Sequence, residues 1–360
     1  MKGLVLAGGA GSRLRPITYT GAKQLVPVAN RPILFFVVDK LVDAGITDIG
    51  VIISPETGAE VRAALGDGAR WGARLTYIVQ ERPAGLAHAA LTARPFLGDD
   101  DFCMYLGDNL IGDSIRPAVD AFRAEPAWSA SVMLKAVDDP RAFGVAVLDA
   151  DGAITRLVEK PADPPSDLAL VGVYLFRPSV FAAIAEIAPS ARGELEITDT
   201  LSRILARGEH IHHDVLGSWW LDTGKKDDLL LANSTVLDSW LVPARLGLVD
   251  AASRVSGRVR IEAGAVVERS TIRGPVIIGA GARLTDARIG PYTSIGDGVT
   301  VLRSGVDHSV LMEGCVVEDT ARLEDSLLGR RVRVRPGSTR AGALSLMVGD
   351  DCVVELAKGP

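Results

Sequence analysis

One feature of this 360-residue chain narrows its possible folds more than any other: a six-residue rhythm in its last third. From about Leu246 the long helical patterns stop, and short β-branched runs alternate with Gly, Asp and Arg. Ile272, Ile278 and Leu284 stand six apart; after a slip of one, Ile289, Ile295 and Val301 repeat the interval. In 278–283 and 295–300 the leading isoleucine is followed at once by glycine. A hexapeptide period marks a parallel β-helix, whose aliphatic residues stack in a column inside successive coils.

The first two thirds follow a different grammar. Residues 2–7 read as a buried strand that passes straight into a glycine-rich turn. Helical periodicity over 31–44 leads to a buried strand at Ile49–Ile53. Further strands are expected at Leu75–Val79 and Phe102–Leu106, with Ala-rich helices over 58–66 and 85–94. Strands alternating with helices indicate an α/β unit with a largely parallel sheet, and such sheets bind ligands at the carboxyl ends of their strands. A hairpin is expected over 143–160, turned at Asp151-Gly152. A strand at Val171–Phe176, helices near 178–187 and 196–207, and an amphipathic helix near 226–238 follow.

Composition removes several function classes. A chain with 48% hydrophobic and 23% charged residues buries an ordinary core. Its net charge of −6 argues against nucleic acid as the main partner. The opening apolar stretch meets Gly8, Gly9 and Arg13 too soon for a signal peptide, and no apolar run is long enough to span a bilayer. Cys103, Cys315 and Cys352 show no metal-ligand spacing and leave an odd thiol, which suits a reducing cytoplasm.

The loop Leu6–Leu14 follows a strand, as a phosphate-binding loop does, because glycines let backbone N–H groups approach phosphate oxygens with no Cβ in the way. No Gly-Lys-Ser/Thr closes it, so it is not a Walker A loop, and Leu14 at the third glycine position spoils a dinucleotide fingerprint. Arg13 and Lys23 place two cations beside it; without them the loop reads equally well as a tight strand-to-helix turn. Asp108 and Asp222 each follow an apolar stretch. Mg²⁺ takes one or two protein carboxylates plus substrate phosphates, whereas either aspartate alone reads as a turn or cap residue. Glu159 and Lys160 are strand neighbours, and neighbours point to opposite faces unless the strand ends or bulges there; Pro161 indicates an ending. Arg192 stands at a helix entrance, placed to clamp a phosphate or to pair with Glu194 or Glu196. Trp219 and Trp220 read as half-buried core residues or as a platform for a sugar face. His210, His212 and His213 fall on an expected strand and read as surface polar residues, while His308 is the one candidate base for acyl transfer in the repeats.

Eight motifs in order carry a family resemblance: LAGGAGSRLRPIT (6–18), KQLVPVANRPI (23–33), VQERPAGLAHA (79–89), YLGDN (105–109), FGVAVLD (143–149), EKP (159–161), ARGELEITD (191–199) and WLDTG (220–224). Over essentially its whole length the chain resembles the long-form glucose-1-phosphate thymidylyltransferases of the sugar nucleotidyltransferase family. The family's usual loop has Thr where Ser12 stands, so the hydroxyl is kept. The resemblance implies an α/β, Rossmann-like nucleotidyltransferase domain with a mixed central sheet over 1–240 and a left-handed parallel β-helix over 241–360. It implies that Gly8, Gly11, Ser12 and Arg13 hold the triphosphate of dTTP, with Arg13 and Lys23 on the departing pyrophosphate and Gln24 beside them. Gln80 and Gly85 would read the base edge. Asp108 and Asp222 would ligate Mg²⁺, with Asn109 near the sugar or phosphate. Gly144, Glu159 and Val171 would contact the hexose, Lys160 and Arg192 its phosphate, and Trp220 matches the family's aromatic before the metal Asp. The implied protein is a cytoplasmic homo-oligomer with no nucleic-acid or membrane partner, joining dTTP and glucose 1-phosphate into dTDP-glucose and pyrophosphate.

Three other readings compete. A uridylyltransferase for glucose or N-acetylglucosamine 1-phosphate, with acetyltransferase activity in the β-helix, differs at the base by one methyl group. A non-catalytic nucleotide-sugar sensor would not need Arg13, Lys23, Asp108 and Asp222 together. A nicotinamide oxidoreductase is disfavoured by Leu14. Because family members without the tail are complete enzymes, the tail is expected to be structural, regulatory or oligomer-forming.

Overall fold

The computed structural model describes residues 1–9, 11–337 and 346–357; Ala10, inside the glycine-rich loop, lies outside the described residues. In chain order the elements begin β1 (Lys2–Leu6), β2 (Pro27–Val28), β3 (Arg31–Pro32), α1 (Ile33–Asp43), β4 (Asp48–Ile53), α2 (Gly58–Leu65) and β5 (Arg74–Val79). Then come α3 (Leu86–Thr92), α4 (Arg94–Leu97), β6 (Phe102–Leu106), β7 (Asn109–Ile111), α5 (Arg116–Ala124) and β8 (Trp128–Ala136). The series continues with β9 (Gly144–Leu148), β10 (Ile154–Glu159), β11 (Leu168–Phe176), α6 (Val180–Ile184), α7 (Ile197–Ala206), β12 (His210–Val215), β13 (Trp220–Asp222) and α8 (Lys226–Trp240). The chain divides into two compact units, Met1–Ala10 with Ile33–Asp222, and Gly11–Pro32 with Thr223–Pro360.

The first unit is built on one sheet in the order β10-β9-β11-β6-β1-β4-β5, with β8 against β11 and β12 against β8. Strands β1, β4, β5 and β6 run parallel. Their near-continuous aliphatic sequences fit strands covered on both faces, and Leu4, Val5, Ile49 and Val51 are fully buried. The sheet is mixed, as the resemblance implies and strand–helix alternation alone does not, because β11 returns from the β9–β10 hairpin antiparallel to β6. That hairpin turns as expected: Asp149 Oδ1 accepts from the N–H of Asp151 at 3.0 Å and of Ala153 at 2.8 Å. Strand β8 and helix α5 are not evident from the sequence, since WSASVMLKA shows neither clean alternation nor a β-branched run.

In the second unit the repeats form three parallel sheets, the architecture of the expected left-handed β-helix. Ile261 pairs with Ile278 and Ile278 with Ile295, a step of 17 residues per coil. The slip after Leu284 is therefore the shorter third side of a coil. Three columns fill the interior: Ile272 over Ile289, Ile278 over Ile295 and Leu284 over Val301, all buried. At a corner, the Ser270 and Ser304 hydroxyls accept the N–H of Ala287 and Thr320, both at 3.0 Å, one coil further on. Shortening one member of a column removes a methyl without opening a water-sized void. Ile278→Val is accordingly expected to lower the unfolding free energy by about 1 kcal/mol, read from chemical denaturation.

Buried thiols add no chemistry. The thiols of Cys103 and Cys315 are pushed up to about 12 by burial, which keeps them protonated and unreactive. No helix among the described residues is long and apolar enough to cross a membrane.

Candidate active site

In the first unit the parallel strands end on one edge. Leu6 pairs with Leu106 and Ile53 with Val79, so Gly8, Gln80 and Asp108 each stand one or two residues past a carboxyl end. Asp108 is only 8% exposed, and its Oδ1 accepts from Asn109 Nδ2 at 3.0 Å. Asn109 Oδ1 in turn accepts from the Trp220 indole at 2.7 Å. Strands β7 and β13 pair antiparallel with Asn109 opposite Asp222. This two-stranded ribbon brings Asp108 and Asp222 to neighbouring positions. Two carboxylates suit a hard divalent cation whose remaining ligands are water and phosphate oxygens. Among the described residues no group of three or more His, Cys, Asp or Glu forms a cage of protein ligands alone.

Trp220 packs against Phe143 with ring centroids 4.8 Å apart. Gly172 sits beside this cluster, and a Cβ there would lie 2.7 Å from Leu106 Cγ and 2.9 Å from Asn109 Oδ1. Only glycine lets the Asn109 side chain lie against β11. Gly172 escapes the motif argument, although a lone glycine within an apolar strand is the signal of such an approach. Its neighbour Val171 is wholly buried, backbone and side chain alike.

A second cluster gathers where β10 ends. Lys160 turns into the left-handed region at φ 41, which brings it back toward its strand neighbour: Lys160 Nζ lies 3.1 Å from Glu159 Oε1. Arg192 Nη2 meets Glu159 Oε1 at 3.0 Å and Glu196 Oε1 at 2.9 Å. Thr198 donates to Glu159 Oε2 at 3.1 Å, and Gly144 faces Glu159 across the ladder. The cluster thus joins Gly144, Glu159, Lys160 and Arg192 with the expected partner Glu196, and adds Thr198, which the sequence does not single out. Of the two options for Arg192, pairing is realised, with Glu196 and, at 3.7 Å, with Glu194, so a phosphate held here would have to compete with three glutamates.

The third cluster follows β5. Gln80 Nε2 donates to Gly85 O at 3.3 Å and lies 2.9 Å from His88 Nδ1. An amide NH₂ only donates, so Nδ1 accepts and the His88 proton sits on Nε2. Burial, reinforced by Arg82, holds the His88 pKa below its ordinary 6.5. A depressed histidine favours the native state while neutral, and that contribution is lost as pH falls through 6.5 and below. The stability advantage of the wild type over His88→Gln is therefore expected to shrink between pH 7 and pH 5, as followed by melting temperature.

In the second unit the glycine-rich loop continues through Gly11 at φ 61 and a short turn at Ser12–Leu14. Thr18 Oγ1 donates to Gly11 O at 2.7 Å, and Lys23–Leu25 form another such turn. The Arg13 guanidinium lies across Gly224, where a Cβ would sit 3.0 Å from Nη2. Burial raises the pKa of Asp228, against the pull of Lys225 and Arg13. Neither Lys225 nor Asp228 is marked by the sequence. Gln24 is 1% exposed, and its Oε1 has no hydrogen-bond partner among the described residues. A buried amide oxygen without a donor is destabilising, which makes Gln24 receptive to a ligand N–H or O–H.

The histidines find structural partners. His308 Nδ1 lies 2.5 Å from Asp325 Oδ1 and Nε2 lies 3.0 Å from Ser234 Oγ, so both ring nitrogens are engaged. His212 stacks on Trp128 with centroids 3.7 Å apart, and all three β12 histidines pair along β8.

Known proteins match this arrangement along the chain. A glucose-1-phosphate thymidylyltransferase of Streptomyces griseus is 47% identical over 97% of this chain and 98% of its own length. The corresponding enzyme of Streptomyces antibioticus is 48% identical over 99% of each. A Bacillus anthracis chain described as a glucose-1-phosphate thymidylyltransferase, solved with a sucrose, superposes with a TM-score of 0.63 at 41% identity, covering 68% of this chain and 98% of that one. The model of the family described as nucleotidyl transferase matches residues 2–239, well over half the sequence, and the chain belongs to that family.

Proposed function

We propose that the protein is a glucose-1-phosphate thymidylyltransferase, making dTDP-glucose and pyrophosphate from dTTP and glucose 1-phosphate. The observation that carries this reading is the β7–β13 ribbon, which sets a buried Asp108 beside Asp222 at the carboxyl edge of the sheet. The near-full-length relatives of that name support it. An anionic oxygen of the sugar phosphate attacks the α-phosphorus of dTTP; one P–O bond forms while the bond to the β-phosphate breaks, and pyrophosphate leaves with the electron pair. The nucleophile is already charged, so no side chain has to remove a proton. Positioning and charge stabilisation supply the rate.

Arg13 and Lys23 receive the charge that develops on pyrophosphate, while Gly8, Gly11, Ser12 and Arg13 hold the triphosphate, with Gln24 beside them. Gln80 and Gly85 face the base. Lys160 and Arg192 hold the sugar phosphate, drawn from Glu159 and Glu196 when it enters, and Gly144, Glu159, Val171 and Asn109 border the hexose. Asp108 and Asp222 would hold Mg²⁺, which when bound neutralises phosphate charge. We assign the transfer to residues 1–240, with 241–360 as the β-helix, and place the enzyme in the cytoplasm as a homo-oligomer without nucleic-acid or membrane partners, in keeping with its net charge of −6.

The test is a matrix of nucleoside triphosphates against sugar 1-phosphates, monitored for pyrophosphate. The pair dTTP and glucose 1-phosphate is expected to give the highest kcat/KM. One methyl group contributes about 1 kcal/mol, so UTP should follow within about tenfold. No pyrophosphate from dTTP with glucose 1-phosphate would refute the assignment.

A further inference from the structure

We infer that Asn233, on α8, is a positioning residue for the triphosphate segment: it locks the Ala29–Asn30 turn onto the β-helix and thereby sets where Lys23 and Gln24 stand. The inference rests on the function proposed above, which gives Lys23 and Gln24 their ligand.

The turn needs holding. Val28 pairs with Arg31 across β2 and β3, leaving a two-residue loop with Ala29 at φ 47 and Asn30 at φ 59. Two positive φ values make a type I′ turn, which favours Asn-Gly; an alanine with its Cβ is poorly suited to the first position. Outside contacts compensate. Asn233 Oδ1 accepts from Ala29 N at 2.9 Å and from Ser294 Oγ at 2.6 Å, while Nδ2 donates to Tyr292 O at 3.0 Å. Asn30 Nδ2 donates to Ile295 O at 2.6 Å. Asn233 and Ser294 are completely buried, so these bonds do not compete with water. Farther back, Thr20 donates to Asp350 Oδ2 at 2.8 Å, so the β-helix grips the segment on both sides of Lys23 and Gln24. A β-helix that holds a substrate segment in this way takes part in catalysis without touching substrate.

Full-length Asn233→Ala is expected to raise the KM for dTTP on the order of tenfold, with the KM for glucose 1-phosphate changed less than about twofold. Adding Ala29→Gly, which tolerates positive φ, should recover most of the loss. Amide exchange over 26–33 should speed up in Asn233→Ala and slow again in the double variant. An unchanged dTTP KM, an equal rise for both substrates, or no recovery with Ala29→Gly overturns the inference. If Asn233→Ala fails to fold, Ser294→Ala removes one bond to Asn233 and should raise the dTTP KM about threefold; no rise also overturns it. Should the wild type release no pyrophosphate, the proposed function has failed separately, and unchanged exchange over 26–33 in Asn233→Ala would still sink the lock.

Discussion

Asp108→Asn is expected to lower turnover about a thousandfold and to leave the melting temperature unchanged or slightly raised. The substitution keeps the shape of the side chain. Its amide oxygen can still accept the 3.0 Å bond from Asn109 Nδ2, so the chain from Trp220 through Asn109 survives. What disappears is one negative charge held at 8% exposure. The amide keeps the side chain's shape and its bond from Asn109, so the fold should tolerate the exchange. In the proposed reaction the lost charge is the one that would hold a cation arriving with the substrate. Asp222→Asn should act alike, because the two residues share one ribbon, and the double variant should be little worse than either single one. Pyrophosphate release at saturating substrates, with thermal melts as control, decides the matter. Wild-type turnover in Asp108→Asn would remove the metal role from this ribbon.

Much of this site was legible because it lies in local runs. Gly8, Gln80 and Asp108 each follow an apolar strand, and the alternation of strands with helices already puts such residues on one edge. Glu159 and Lys160 were legible as partners only through Pro161, and Lys160 turns back at φ 41. What was not legible is pairing between residues remote in sequence. Asn109 meets Trp220 across 111 residues, and Thr198 meets Glu159 across 39, so no window of the sequence displays either pair. The mixed sheet was legible only through the family resemblance, because the hydrophobic pattern of β11 is the same in either direction. The six-residue rhythm announced the β-helix but not that Asn233 and Ser294 hold the turn at Ala29, since a buried asparagine on a helix looks like any polar residue until its three partners are known.

Gly85→Ala should be the most damaging change of a residue that contributes no side chain. Gly85 sits at φ 101 and ψ 169, a conformation that is essentially glycine-only, and leaving it strained costs about 1–3 kcal/mol. A Cβ would also lie 2.4 Å from Leu195 O, 2.7 Å from Leu195 N and 2.9 Å from Leu195 C. Those are backbone atoms, so no rotamer change relieves the clash and one of the two segments must move. They are tied on both sides of the contact, by Leu195 N to Ala84 O at 2.8 Å and Ala87 N to Leu195 O at 3.2 Å. Displacement therefore reaches Gln80 through its bond to Gly85 O, Glu196 as the residue after Leu195, and Arg192 through its bond to Glu196. Both substrates should suffer, with kcat/KM down on the order of a hundredfold, whereas a change at His88 should touch the nucleotide alone. The discriminating measurement is the ratio of kcat/KM for dTTP to that for UTP. It should collapse toward one in Gly85→Ala, because the group facing the base has moved. A variant that is slow yet keeps its full preference for dTTP would place base selection elsewhere than in the Gln80–Gly85 loop.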